Sequence, residues 1–298
     1  MAGITVDHFK RAAADIGLHG DNDTLPFDID NRFVNENQNE LAILAYTYFC
    51  ELEKGSPKDA TKAINALQIF SERLLVPTGA AGFRITTKIH PFWNIYINGM
   101  GVAIADKHEA QRSPTAHSYR YVVDGDGLFD RSRSWRAYRQ CTISPEYWQG
   151  DDAVVIQTDI SSFYEHIYHH RLESCLEDLF PSGSTVASQI DRFLSKFASG
   201  RSFGLPVGGQ CARILAEVLM SAIDNILTDE GIIWHRYVDD FTIMTRSQEE
   251  AYRALAVLSN ALADYGLSLN RTKTIMLKAK PVVSDTFHSK NSWLWSSG

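Results

Sequence analysis

Three aspartates are the residues of this sequence best suited to chemistry. Asp239 and Asp240 are adjacent and lie between two apolar runs, residues 231–234 and 241–244, which predicts a β-hairpin with both carboxylates at its turn. Asp159 follows another apolar run, 80 residues before Asp239. Taken singly, the pair could be an ordinary turn and Asp159 a helix N-cap. Together, the three carboxylates predict a site for two divalent ions, since hard oxygen ligands suit Mg²⁺ and paired ions serve phosphoryl transfer.

The elements around these aspartates predict a sheet backed by helices, an α+β architecture. A strand covers residues 154–159, and a hairpin covers residues 234–245. A Gly- and Pro-containing loop at residues 204–209 precedes a long helix. Predicted helices cover residues 161–179, 188–197, 211–227 and 248–265, the last with Gly266 at its C-cap, and a turn and strand follow over residues 267–277.

The first half of the chain predicts a mixture of helices and one strand. Residues 38–76 are rich in Ala, Leu and Glu and predict a helical hairpin broken at residues 55–57. Residues 83–89 alternate and predict a strand. Residues 107–139 interleave arginines with aromatic side chains. That segment is either a nucleic-acid contact surface or an ordinary solvated charged surface.

Bulk composition excludes few classes of protein. The chain has 298 residues and a net charge of −7, which disfavours a general nucleic-acid coat but permits a local basic channel. Its four cysteines form no CxxC pair, so we expect a reducing compartment and no structural zinc. The N-terminus lacks a signal pattern, and no apolar run reaches the roughly 18 residues of a membrane span. We therefore expect a cytoplasmic protein without membrane contact.

Four motifs in order resemble the palm of reverse transcriptases. The resemblance spans residues 151–277 and is carried by residues 157–164, 203–208, 236–241 and 266–274, which read QTDISSFY, FGLPVG, RYVDDF and GLSLNRTKT. It implies an RNA-directed DNA polymerase, a nucleotidyltransferase with right-hand fingers and palm. Residues 116–121, 163–172 and 213–217 are similar to segments of bacterial defence-associated reverse transcriptases, including the abortive-infection enzymes.

The resemblance assigns roles to the three acids. It implies that Asp159, Asp239 and Asp240 are the catalytic residues and that all three, with the Ile160 carbonyl, bind two Mg²⁺ ions, with Mn²⁺ as an alternative ion. Tyr164 occupies the position where the family keeps an aromatic steric gate against a ribose 2′-hydroxyl, which favours deoxynucleotides. The alternative interpretation of Tyr164 is an ordinary core tyrosine.

Further nucleotide-binding residues follow from the same motifs. The resemblance implies that Gly204, Pro206 and Gly208 lie beside the templating base and the incoming nucleotide. Lys273 is expected to protonate or bind pyrophosphate, although a solvated surface lysine has the same appearance in a sequence. Arg120 is the candidate for a triphosphate-binding arginine of the fingers.

The chain also departs from the family pattern. Val207 stands where many reverse transcriptases have Gln. We expect an N-terminal, mainly helical segment at 1–90, fingers at 91–150, the palm at 151–280 and a tail at 281–298 that is a remnant of the primer grip. Neither a thumb nor an RNase H domain is evident, so short rather than processive synthesis is expected.

Competing functions remain open at this point. The leading hypothesis is DNA synthesis from dNTPs on an RNA template in anti-phage defence. The alternatives are a template-independent or protein-primed DNA polymerase of the same fold, and a non-catalytic polymerase-like subunit of a larger complex. A nucleotide cyclase is disfavoured because its characteristic hairpin is absent. Expected partners are dNTPs, the RNA template and nascent DNA, with a non-coding RNA and a partner protein or homo-oligomer as further candidates.

Overall fold

The computed structural model describes residues 3–20, 29–78, 82–125, 127–142 and 152–278. The expected primer-grip remnant at residues 281–298 lies outside these ranges. Among the described helices, none combines the length and the apolar character that crossing a membrane requires.

The described part of the N-terminal segment begins with four helices. The predicted break at residues 55–57 is confirmed, because Ser56 caps the second helix of the hairpin: its hydroxyl accepts a hydrogen bond from the Asp59 amide, and the Asp59 carboxylate accepts one from the Ser56 amide. That helix ends at residue 66, so the prediction of helix up to residue 76 is wrong. The helices are α1 (Val6–His19), α2 (Ile29–Glu36), α3 (Gln38–Glu53) and α4 (Pro57–Ala66).

A two-stranded β-hairpin begins where the sequence predicted further helix. Strand β1 (Ser71–Thr78) pairs antiparallel with β2 (Gly82–Ile89) along its whole length, and β2 confirms the predicted strand. The amide of Thr87 in β2 donates a hydrogen bond of 2.8 Å to the Val207 carbonyl. This bond joins the hairpin to the loop that was expected to contact the nucleotide.

A long buried helix, α5 (Pro91–His108), is the centre of the N-terminal half. Helices α1 and α3 pack around it, as does α10 (Gln210–Asp229) further along the chain. The absence of a side chain at Gly99 permits the close approach of α1, because a Cβ there would lie 2.4 Å from the ring of Phe9. An irregular segment follows α5 and leads to the short helix α6 (Trp135–Thr142).

Within the described residues 152–278, four strands form an antiparallel sheet in the order β4 (Ile233–Tyr237), β5 (Asp240–Thr245), β3 (Val154–Thr158) and β6 (Ile275–Lys278), and helices α10 and α11 (Gln248–Asp264) pack against it. The predicted strands, the long helix after the glycine loop and the hairpin are confirmed, and the predicted 161–179 helix is divided in two. With the helical N-terminal half, the fold is α+β, as predicted. The elements are β3 (Val154–Thr158), α7 (Phe163–His166), α8 (His169–Glu177), α9 (Val186–Phe197), α10 (Gln210–Asp229), β4 (Ile233–Tyr237), β5 (Asp240–Thr245), α11 (Gln248–Asp264) and β6 (Ile275–Lys278).

Candidate active site

The sheet brings the three aspartates together. Asp239 and Asp240 occupy the turn from β4 into β5, as the hairpin pattern predicted. In the antiparallel pairing of β3 with β5, Thr158 lies opposite Phe241. The next residue along β3, Asp159, therefore lies beside Asp240 at the same end of the sheet. Asp159 is only 4% exposed, so its carboxylate is held in a largely dry environment.

The electrostatics of the three carboxylates are unfavourable without a cation. Burial, and then the charges of Asp239 and Asp159, raise the pKa of Asp240 to about 7. Burial, with a smaller contribution from Asp159, raises the pKa of Asp239 to about 6. Both shifts have the direction expected when like charges are forced together in a low dielectric. A site of this kind favours a bound positive charge.

Lys273 supplies one such charge. Its Nζ donates a hydrogen bond of 2.5 Å to Oδ2 of Asp159, and that bond raises the lysine pKa. The lysine is held nearby because the amide of Asn270 bonds the Asp159 carbonyl and the amide of Lys273 bonds the Asn270 carbonyl. As the side chains stand, no three His, Cys, Asp or Glu groups in the described ranges surround a single metal position.

The donor set nevertheless suits a divalent ion. The Oδ1 atom of Asp159 is buried and has no hydrogen-bond partner among the described residues. An orphaned carboxylate oxygen is costly unless a cation or a donor reaches it. Carboxylate oxygens are ligands that Mg²⁺ and Mn²⁺ prefer, and a bound cation would offset the mutual repulsion of these acids. Ile160 lies next in the chain and forms a bridge to Leu269 at the floor of the same site.

A cavity of about 600 Å³ opens over the aspartates. It is large enough for a nucleotide-sized ligand. Most of the residues predicted from the sequence line it together: Asp159, Ile160, Tyr164, Gly208, Asp239, Asp240 and Lys273.

Tyr164 lies in the wall of this cavity and packs against Phe163, with ring centroids 5.2 Å apart. Burial raises its pKa well above the usual value, so the phenol stays neutral. Its backbone carbonyl accepts a hydrogen bond from the Leu205 amide, which links it to the glycine loop. The tyrosine is thus partly buried and also lines the cavity. Its position is compatible with a core residue and with a residue that contacts a bound ligand.

The glycine loop contributes only part of what was predicted. Gly208 lines the main cavity, whereas Gly204 and Pro206 line a separate cavity of about 150 Å³ next to it. Gly204 adopts φ +90°, a conformation that favours glycine, and its amide and carbonyl are bonded to the Ile167 carbonyl and to His169. These two residues shape the loop; in this structure they do not reach the aspartate cavity.

Arg120 is not brought to either of these cavities. Its Nε lies 2.6 Å from the Glu109 carboxylate, and its Nη1 donates to the Ser113 and Ala116 carbonyls. A guanidinium held by these partners stabilises the irregular segment after α5. The expectation that it points at a triphosphate therefore has no support here, because the sequence could not show that Glu109 lies close enough to bind it.

Two other arginines line the cavity and were missed as site residues. Arg84 comes from strand β2, and Arg213 comes from the first turn of α10, where it lies over the ring of Tyr119. The signal for Arg213 was its position six residues after the glycine loop's Val207, near a helix N-terminus. Nothing in the sequence placed Arg84 there, because its position depends on how the hairpin packs against the glycine loop.

The basic, aromatic segment 107–139 is divided between two environments. Tyr119 and Trp135 line the cavity, in agreement with the contact-surface interpretation. Arg112 and Tyr138 are buried instead, at 7% and 1% exposure. Arg131, Arg133 and Arg136 are exposed, so the segment combines cavity-lining, buried and solvated residues.

Backbone strain is concentrated around this cavity. Four non-glycine residues of the described ranges have positive φ: Tyr119, Ser162, Ser199 and Val238. Three of them, all except Ser199, line the aspartate cavity. Such residues persist where the surroundings over-determine the backbone, and they cluster at functional sites.

The comparisons with known proteins agree with this geometry. Residues 128–285 match the family described as reverse transcriptase (RNA-dependent DNA polymerase), which is more than half of the chain. The chain therefore belongs to the reverse transcriptase family, and polymerase activity is supported at the level of that family. No curated protein sequence shows a significant match to the chain.

A solved structure of telomerase from Candida albicans, in complex with the TWJ fragment of telomeric RNA, shares the fold with a TM-score of 0.51 at 14% identity. The match covers 72% of this chain and 42% of the telomerase chain. At this identity the likeness shows the fold alone. It establishes a reverse-transcriptase-like arrangement of helices and sheet, in a chain that spans less than half the length of the telomerase chain.

Proposed function

We propose that this protein is a divalent-metal-dependent reverse transcriptase that synthesises DNA from dNTPs on an RNA template. The observation that carries the proposal is the convergence of Asp159, Asp239 and Asp240 at one end of the sheet, under a cavity of nucleotide size. A bound cation would offset the repulsion that raises the pKa values of Asp239 and Asp240, and it would give the orphaned Oδ1 of Asp159 a partner.

Asp159 and Asp239 would hold both Mg²⁺ ions, with the Ile160 carbonyl as a further ligand and Asp240 as a ligand or a hydrogen-bonded neighbour. Bound ions supply Lewis-acid activation of a primer 3′-hydroxyl and neutralise the triphosphate. The protein's share is positioning: the strand pairing fixes where the carboxylates meet, and burial keeps competing water away from them.

Other residues around the cavity would bind and orient the nucleotide. Lys273, Arg213 and, from the β1–β2 hairpin, Arg84 line the cavity and would provide positive charge for the triphosphate. Tyr164 would exclude a ribose 2′-hydroxyl by its bulk. Gly208 leaves room for the close approach of a base or a phosphate.

The four-part division of the chain into N-terminal segment, fingers, palm and tail is also a proposal. It places the β1–β2 hairpin at the end of the N-terminal segment, although the hairpin contacts the glycine loop of the palm through Val207. We propose in addition that the enzyme serves anti-phage defence in the bacterial cytoplasm. What supports that branch is the resemblance of residues 116–121, 163–172 and 213–217 to defence-associated enzymes.

The deciding experiment is nucleotide incorporation by the purified protein with Mg²⁺ or Mn²⁺. Each labelled dNTP and NTP is tested with and without an RNA template, and the product is treated with nuclease and with protease. Template-dependent dNTP incorporation that Asp239→Asn abolishes is the expected result. Lys278→Met, at an exposed position in β6, is the matched control and should leave incorporation unchanged.

Other results identify the alternatives. Incorporation without template, or a product that stays with the protein until protease is added, would favour a template-independent or protein-primed polymerase. No incorporation by folded protein, with or without a co-purified RNA or partner chain, would contradict the enzymatic proposal and favour a non-catalytic subunit.

A further inference from the structure

The residue before the aspartate pair is strained. Val238 adopts φ +58°, the left-handed region, in the middle of the turn that carries Asp239 and Asp240. A β-branched residue in this region is a clear outlier, since its branched side chain crowds the backbone. Some neighbouring group must therefore hold the turn in this shape.

Both backbone polar groups of Val238 are held from outside the hairpin turn. Its amide donates a hydrogen bond of 2.9 Å to the hydroxyl oxygen of Ser118. Its carbonyl accepts one of 2.8 Å from Nη1 of Arg236. With the amide and the carbonyl both fixed, the peptide that leads into Asp239 has little freedom to rotate.

The Ser118 hydroxyl is itself fixed. It donates a hydrogen bond of 2.5 Å to Oε1 of Glu217, a residue of α10. Glu217 is only 3% exposed, and burial alone would raise its pKa, but the charges of Arg236 and Arg112 outweigh burial and lower it. The carboxylate therefore remains an ionised acceptor for the serine.

A balanced buried ion cluster surrounds that carboxylate. Arg236 lies 3.0 Å from Glu217 and 2.6 Å from Asp224, and Arg112 lies 2.5 Å from Glu217. Among these four residues two cations meet two anions, and Arg112 also lies 3.5 Å from the Glu109 carboxylate, so each charge is paired. Such a cluster is rigid, because displacing any one member would leave another charge buried without a partner.

The segment that carries Ser118 is anchored to the same cluster. Arg112 donates hydrogen bonds to the Ser118 and Tyr119 carbonyls, over 2.7 and 2.8 Å. The His117 amide bonds the Arg236 carbonyl, and the Arg236 amide bonds the Thr115 carbonyl. Ser118 is thus fixed from its backbone as well as from its side chain, and it is fully buried.

We propose that Ser118 is a positioning residue of the active site, which transmits the rigidity of the Glu217–Arg236 ion cluster to the strained Val238 peptide and so sets the direction of the Asp239 carboxylate. The inference rests on the proposed function, in which Asp239 binds divalent ions. The hydroxyl oxygen accepts from the amide and donates to the carboxylate at once, so Thr can replace Ser and Ala cannot.

The test compares Ser118→Ala, Ser118→Thr and a matched control, Ser221→Ala. Ser221 lies on α10, as Glu217 does, and its hydroxyl donates to the backbone carbonyl of Glu217 rather than to its carboxylate. The readouts are Mn²⁺ affinity by electron paramagnetic resonance, kcat and KM for dNTP incorporation, and the thermal unfolding midpoint.

Ser118→Ala should weaken Mn²⁺ binding and lower kcat, each by about tenfold or more, the scale known for residues that orient metal ligands. KM for the dNTP should change by less than about threefold, because the nucleotide-binding walls are untouched. Ser118→Thr should stay within about threefold of the unmodified protein in both quantities, since its hydroxyl makes both hydrogen bonds. The control should leave all readouts unchanged.

Equal Mn²⁺ affinity and equal kcat in Ser118→Ala and Ser221→Ala would overturn the proposal. If Ser118→Ala does not give folded protein, Ser118→Cys replaces it with the same expected order, because a thiol is a much weaker donor and acceptor. If the unmodified protein incorporates no nucleotide, the proposed function fails, while the order of Mn²⁺ affinities still supports or overturns the role of Ser118.

Discussion

Lys273 and Asp159 share a hydrogen bond of 2.5 Å between Nζ and Oδ2. The aspartate is buried at the end of β3, whereas the lysine side chain is 59% exposed. The ammonium group therefore approaches from solvent the same carboxylate that the proposed function assigns to divalent ions. A metal ion bound as proposed would compete with the lysine for this oxygen.

Replacing Lys273 should change metal affinity and turnover in opposite directions. Lys273→Met is expected to tighten Mn²⁺ binding by about threefold, the modest gain expected from losing an ion pair with an exposed lysine. If the ammonium also protonates or binds the leaving pyrophosphate, kcat should fall by about a hundredfold. Titration with Mn²⁺ and single-turnover kinetics measure the two effects, and weaker Mn²⁺ binding would contradict the competition.

The aspartates should be dispensable for folding. Asp239→Asn and Asp240→Asn are each expected to abolish incorporation, yet the free energy of unfolding in the absence of metal should not decrease. The reason is that burial and mutual repulsion oppose their charged forms, and an amide removes that cost. Urea unfolding in the presence of a chelator measures this. Full activity in both folded variants would refute the assignment of the site.

Tyr164 should control the choice of sugar. Tyr164→Val is expected to reduce discrimination against ribonucleotides by about tenfold or more, the scale of one steric contact in a pocket. Tyr164→Phe keeps the ring and should keep the discrimination. The ratio of kcat/KM for a dNTP and its matching NTP is the measurement, and an unchanged ratio in the valine variant would remove Tyr164 from the gate role.

The buried ion cluster should be important for stability. Glu217→Gln removes one of two anions facing Arg236 and Arg112, and we expect it to lower the free energy of unfolding by about 3–5 kcal/mol. Glu230→Gln, in an exposed pair with Arg253, should cost less than about 1 kcal/mol. Urea denaturation of both variants tests the contrast, and similar small losses would show that the cluster contributes little.

Buried histidines should make the fold sensitive to mild acid. Burial, and then Arg112, lower the pKa of His108 to about 4; burial, and then His235, lower the pKa of His117 to about 4. The unfolded chain, with histidine pKa values near 6.5, binds these protons first, so stability falls as pH drops below about 6.5. Each histidine should account for about 2 kcal/mol between pH 7.5 and pH 5.

Histidine variants separate this effect from that of Asp239 and Asp240. The raised pKa values of these two aspartates make the fold more stable, not less, as the pH falls. His108→Asn and His117→Asn should each reduce the loss of unfolding free energy between pH 7.5 and pH 5. Urea titrations at both pH values provide the numbers. A loss as large as in the unmodified protein would mean that the histidine titrates as it does in the unfolded chain.

The parts of the site that depend on neighbouring residues in the sequence were predictable. The hairpin turn and the end of β3 follow from apolar runs next to acids, and antiparallel pairing then brings Asp159 beside Asp240. Strand β1 was not predictable, because its composition favours helix and only its pairing with β2 makes it a strand.

The ion cluster was hidden for a different reason. Glu217 and Asp224 are seven residues apart, so they share one face of α10, and two acids on an otherwise apolar helix face are a signal that could have been recognised. Their common partner Arg236 and the serine beside it come from distant segments, which a sequence alone does not bring together. The role of Arg120 stays a prediction, and the sequence did not show that the nearby Glu109 pairs with it.

The positive φ of Tyr119, Ser162 and Val238 has a consequence for directed evolution. Glycine or asparagine relieves such strain, so a screen for thermal tolerance alone should accumulate these substitutions at the three positions. A screen that also demands DNA synthesis should reject them, because the crowded backbone holds the aspartates in place. The two screens should therefore select different residues first at these three cavity-lining positions, because relieving strain there raises heat resistance but lowers catalysis.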